Sequence, residues 1–71
     1  MKLRDFASGD FVVEGWRKVQ YWDEHDECRI VKEGYDWMNL GEYRDWEVTY
    51  VFPFETGGGR LGICIEITEV M

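Results

Sequence analysis

The sequence predicts an α+β domain. An antiparallel sheet of about four strands is built from two β-hairpins, with a short N-terminal helical turn and a short helix or loop between the hairpins. Three observations carry this reading. Two clean period-2 runs, residues 46–54 and 61–67, flank a glycine triplet. Two blurrier alternating runs, residues 11–22 and 28–37, straddle the charged string Asp23-Glu24-His25-Asp26-Glu27. The remaining stretches offer apolar spacing for no more than a helical turn, and 71 residues make one small domain, 1–71.

In chain order, residues 2–7 place Leu3 and Phe6 three apart on one side of a turn that Ser8-Gly9-Asp10 ends. A turn this short is stable only when docked, so it is expected to lie on the sheet. In the first strand Phe11, Val13, Val19 and Tyr21 alternate, but Val12, Trp16 and Trp22 occupy the other parity and Gly15 marks a candidate bulge. The second strand runs through Ile30, Val31 and Tyr35. Residues 37–45 lose the period of two. Leu40 and Tyr43 sit three apart there, Gly41 interrupts, and Asp36 or Asn39 can cap a single turn.

The last two strands have the clearest pattern. Trp46, Val48, Tyr50, Phe52 and Phe54 alternate with smaller or polar residues, as do Leu61, Ile63, Ile65 and Ile67. With Glu55 opposite Arg60, the register predicts Phe54 opposite Leu61, Phe52 opposite Ile63, Tyr50 opposite Ile65 and Val48 opposite Ile67. These four pairs would share one buried face, each contributing roughly 0.2–1 kcal/mol. Pro53 would then face Gly62, which predicts an edge or a bulge near it because proline donates nothing to a ladder.

Fifteen acidic residues against eight basic ones give a net charge of −7. Residues 20–50 hold nine of the acids and three of the bases, a charge of −6. Phosphate and anionic membranes repel such a chain, so neither direct nucleic-acid binding nor a membrane surface is expected, and basic partners are favoured. The bland alternative is that the charge only keeps a small protein soluble. Cys28 and Cys64 match no metal-ligand spacing and read as buried thiols in a reducing cytosol. The start lacks a signal-like apolar run, and no stretch is long enough to span a bilayer.

Few groups suggest chemistry. His25 with Cys28 could ligate zinc or pair as base and nucleophile, but no second ligand pair and no orienting group accompany them. Gly57-Gly58-Gly59 lacks the helix and lysine of a phosphate loop. The expectation is therefore no catalytic residue, no metal and no cofactor. The better candidate is an aromatic and acidic surface: Trp16, Trp22 and Trp37 among Asp23, Glu24, Asp26, Glu27, Asp36, Glu42 and Asp45. Aromatic anchors within a charged rim suit a protein interface, although small cores also absorb tryptophans, Trp46 foremost.

The string Leu40-Gly41-Glu42-Tyr43-Arg44-Asp45-Trp46-Glu47-Val48, together with Leu3-Arg4-Asp5-Phe6, resembles small uncharacterised proteins of phages and mobile elements in Firmicutes-type bacteria. That resemblance implies a cytoplasmic accessory protein of a bacterial cell and transfers no catalytic residue. The leading functional expectation is a non-enzymatic module that binds a basic protein surface. Its concrete form is inhibition of a host nucleic-acid-processing protein by charge mimicry, of the anti-CRISPR or anti-restriction kind. The alternatives are a glycan- or small-ligand-binding β module using exposed tryptophans, and a self-associating domain that closes a homodimer.

Overall fold

The computed structural model describes residues 1–7, 15–37, 39–55, 57–59 and 61–69. Its elements are helix α1 (Leu3–Ala7), strands β1 (Trp16–Trp22) and β2 (Cys28–Gly34), a 3-10 turn (Gly41–Asp45), and strands β3 (Glu47–Glu55) and β4 (Leu61–Thr68). Helical turn, four strands and the short helix before β3 match the sequence reading. The expected stop at Ser8-Gly9-Asp10 and residues 11–14 of the expected first strand lie outside the described residues. The second strand ends earlier than its pattern suggested, at Gly34, whose φ of 144° suits glycine alone.

The sheet is mixed, which corrects the antiparallel expectation. Its order is β2-β1-β4-β3. β1 pairs antiparallel with β2 and β3 antiparallel with β4, but the two central strands, β1 and β4, run parallel. Period-2 patterning reports which face of a strand is buried and is blind to strand direction, so nothing in the alternation distinguished the two ways of joining the pairs. A parallel join needs a crossover connection. Residues 35–37 and 39–46 are part of it, and the 3-10 turn inside it becomes part of the covering layer.

One face of the sheet is covered. Leu3 and Phe6 from α1 and Leu40 from the crossover pack on Val19, Ile65 and Ile67, with Tyr21, Val31, Tyr43, Trp46 and Ile63 around them. Val19 and Ile65 face each other across the parallel seam and are both fully buried. α1 docks as expected of so short a helix. Asp5 reaches back to accept from the Lys2 N–H at 2.9 Å, half of a capping box. The Leu3 N–H donates to the Trp46 carbonyl at 2.9 Å, and the Val48 N–H to the Met1 carbonyl at 2.7 Å. The N-terminal ammonium meets Glu47 Oε2 at 2.9 Å.

The β3/β4 register is shifted from the expected one. Glu55 pairs with Leu61, not Arg60, so five residues connect the strands where four were expected. One extra residue moves a strand's side chains to the opposite face. Val51 now faces Ile65, Pro53 faces Ile63, and Phe52 faces Cys64. An irregularity between Val48 and Tyr50 resets the count, which is why Val48 still meets Ile67 as predicted. Tyr50 and Phe52 therefore lie on the sheet face away from α1 and are 66% and 40% exposed, where burial was expected. The edge expectation at Pro53 holds, since β3 is an outer strand.

Gly62 explains how closely the central strands approach. A Cβ there would lie 2.5 Å from the backbone oxygen of Trp16, its partner across the parallel seam. Gly62→Ala is therefore expected to destabilise the fold by about 1–3 kcal/mol, the usual cost of overpacking. A urea midpoint unchanged from the parent would contradict this.

Candidate functional site

The covered face ends in a cleft of about 410 Å³ where β1 and β4 both terminate. Its wall is aromatic. Tyr21 projects from β1 on the covered side, and the 3-10 turn and the residue after it supply Tyr43 and Trp46. The turn closes through hydrogen bonds from the Tyr43 N–H to the Leu40 carbonyl and from the Trp46 N–H to the Tyr43 carbonyl, each 3.1 Å. The Tyr21 and Tyr43 rings each meet Trp46 at a steep angle, centroids 4.9 Å apart, and lie 5.7 Å from each other. Such edge-to-face packing fixes the rings. A hydrogen bond between the tyrosine hydroxyls, then burial, hold the Tyr43 phenol above its ordinary range. Trp22, largely exposed, completes the lining.

The rim is acidic: Asp23 and Glu24 leave β1, Glu42 begins the 3-10 turn, and Glu69 follows β4. Asp23 is committed to structure. Its Oδ1 accepts from the N–H groups of His25 (2.8 Å) and Glu27 (3.0 Å), and its Oδ2 from Arg29 Nε at 2.8 Å. Arg29 foremost, then the backbone donors, holds the Asp23 carboxyl below the ordinary carboxylate range. Glu24 lies 3.6 Å from His25 Nε2, an ion pair only when the imidazole is protonated. Of the four rim carboxylates, Asp23 is the one that Arg29 pairs. A concave aromatic surface with this rim can hold an ammonium or guanidinium group by cation–π contact and charge-assisted hydrogen bonds.

The sequence-derived candidates separate into groups. Trp22, Asp23, Glu24 and Glu42 converge on the cleft. Asp26, at φ 58°, and Glu27 shape the adjoining turn, Glu27 pairing with Arg29 at 3.1 Å. Asp45 is turned to Arg4 at 3.3 Å. Trp16, Asp36 and Trp37 belong to the opposite end of β1, roughly 20 Å away by strand rise. There the Arg17 guanidinium lies 4.4 Å over the Trp37 ring, Lys32 holds Asp36 at 2.8 Å, and Trp16 meets Tyr35 edge-on at 5.2 Å. Burial pushes Arg17 down from its usual value, with Asp36 opposing.

Sequence reasoning missed Tyr21, Tyr43, Trp46 and Glu69 as lining residues. The signal for Glu69 is the parallel register. Gln20 pairs with Glu66, so two and three steps further the chain sets Trp22 beside Thr68 and Asp23 beside Glu69. An antiparallel join would bring the other end of β4 here. Of the cysteines, Cys64 is buried as expected, its thiol pushed up by that burial, whereas Cys28 is exposed on the edge strand β2. Among the described residues no three His, Cys, Asp or Glu side chains converge as a metal-binding group, and no helix is long and apolar enough to cross a membrane.

Compared with protein families, with curated proteins and with solved structures, the chain matches none.

The Asp23 cap has a pH signature. Its carboxyl titrates lower in the folded chain than in the unfolded one, so the stability it adds is full above the unfolded value, about 3.9. That stability is lost as pH falls through the lower folded value. The His25 and Glu27 amide resonances should therefore shift together below about pH 4. Asp23→Asn should remove this titration, and its persistence in the variant would contradict the assignment.

Proposed function

We propose that the protein is a non-enzymatic interaction module that docks on a basic protein surface, with the cleft receiving an arginine or lysine head group from the partner. One observation carries this: the mutually packed rings of Tyr21, Tyr43 and Trp46 line the same cleft as Glu24, Glu42 and Glu69. A cation over an aromatic face gains about 0.5–1 kcal/mol when exposed and about 2 when desolvated. Unneutralised carboxylates at the rim add to that attraction and steer the approach. Guanidinium suits the site better than ammonium, since it stacks flat on a ring while its edge donates to carboxylates.

The finer setting follows from the resemblance of residues 40–48 and 3–6 to phage and mobile-element proteins. There the module acts in the bacterial cytoplasm, and the basic surface belongs to a host nucleic-acid-processing protein. The carboxylates take places that phosphates would occupy, and the rings supply the desolvated anchor. Net charge of −7, concentrated around the middle of the chain, supports the mimicry.

Titration of the protein with tri-arginine, tri-lysine and tri-glutamate peptides, read by tryptophan fluorescence, tests the cleft. The expected order is arginine over lysine, with no response to glutamate. Affinity should fall by roughly tenfold or more between low and high salt, as screened charges require. Replacing Glu24, Glu42 and Glu69 together by glutamine should abolish most of the response. Equal binding of tri-glutamate, or full binding by the triple variant, would overturn the proposal.

A further inference from the structure

The cleft holds its carboxylates apart. Glu24 follows the end of β1, Glu42 lies in the 3-10 turn and Glu69 follows β4, so three separate elements carry them. All three line one cleft, yet among the described residues no three acidic, histidine or cysteine side chains converge closely enough to hold a single metal ion. A compact cation therefore meets only part of this rim at a time. We infer that the cleft binds a linear oligoamine, two or three ammonium groups joined by short methylene chains. The inference rests on the cation-binding reading above. It adds that the ligand's charges are several and separated, so that a free amine competes with a docking partner.

The first supporting feature is charge balance. Among the described residues neither Glu42 nor Glu69 has a lysine or arginine partner: Arg4 turns to Asp45, Arg29 to Asp23 and Glu27, and Lys32 to Asp36. Glu24 has only His25 beside it, a cation when protonated. A ligand with three positive charges thus balances Glu24, Glu42 and Glu69 one for one. The second feature is size. About 410 Å³ falls within the range of small-molecule sites, roughly 300–1,000 Å³, and is more than one guanidinium or ammonium head group fills.

The third feature is the form of the wall. The rings of Tyr21, Tyr43 and Trp46 pack on one another, with centroids 4.9 or 5.7 Å apart. That contact leaves no gap between them for an ammonium group, so the wall is a continuous surface and not a cage closing on one cation. Such a surface takes methylene groups along its length and positive charge over its ring faces. An alternation of charge and hydrocarbon is what an oligoamine chain supplies.

Calorimetric titration of the full chain with spermidine, 1,4-diaminobutane and butylamine, near neutral pH and at fixed ionic strength, tests this. These amines carry three, two and one ammonium groups. Affinity should rise by roughly fivefold with each added group, the gain from one contact between opposite unit charges in water, and spermidine should displace tri-arginine. Glu42→Gln and Glu69→Gln, both at exposed positions, should each lower spermidine affinity by about fivefold. Glu33→Gln, on the edge strand β2 and outside the cleft, should leave it unchanged. Equal affinity for the three amines would overturn the inference. So would a loss at Glu33→Gln as large as that at Glu69→Gln, since the amine would then answer the net charge and not the cleft. Tri-arginine bound where spermidine is not would overturn this inference and leave the cation-binding reading standing, whereas failure of tri-arginine and all three amines would remove both.

Discussion

The structure depends on the parallel seam between β1 and β4. Each of these strands belongs to an antiparallel pair with its sequence neighbour, and only their contact makes one sheet of two pairs. Two consequences follow from its register. Val19 and Ile65 become the fully buried centre on which α1 and Leu40 rest. The ends of both strands also emerge side by side, which sets Tyr21 to Glu24 against Thr68 and Glu69. Core and cleft are thus products of one pairing, and Gly62 is the residue that lets the two backbones come close enough for it.

The covering layer is thin and local. Five helical residues, one 3-10 turn and the bonds that tie Met1 and Leu3 to Trp46 and Val48 cover the half of the sheet near Ile67. Beyond their reach, side chains on the same face such as Val51 and Leu61 remain exposed despite an apolar pattern. Aromatic residues then divide between two uses. Tyr21, Tyr43 and Trp46 close one end of the core as a mutually packed wall, while Tyr50 and Phe52 stand on the far face. A small domain cannot bury all its large rings, and the surplus stays at its surface.

Much of this was legible in the residues. The Leu3/Phe6 spacing, the Leu40/Tyr43 spacing and the alternation in β3 and β4 located four of the elements, because each is a local pattern, while the blurred runs 11–22 and 28–37 placed β1 and β2 with looser bounds. Strand direction at the seam was not legible, since a period of two is the same read either way. The β3/β4 register failed for a smaller reason: a five-residue connection replaced a four-residue one, and glycine-rich turns tolerate both. That single step carried Tyr50 and Phe52 to the other face. Of the candidate site, Trp22, Asp23, Glu24 and Glu42 could be named from the acidic stretch. Glu69 could not, because only the parallel register brings the end of the chain's last strand beside the first.

The placement of charge ties the fold to its proposed roles. Carboxylates of Asp23, Glu24, Glu42 and Glu69 gather where the two central strands end. All of it rests on the direction of β4 relative to β1. Cross-strand nuclear Overhauser effects between these strands measure that directly. The account predicts contacts that rise together, Arg17 with Ile63 and Val19 with Ile65. Contacts that run in opposition, Arg17 with Ile65 and Val19 with Ile63, would contradict it.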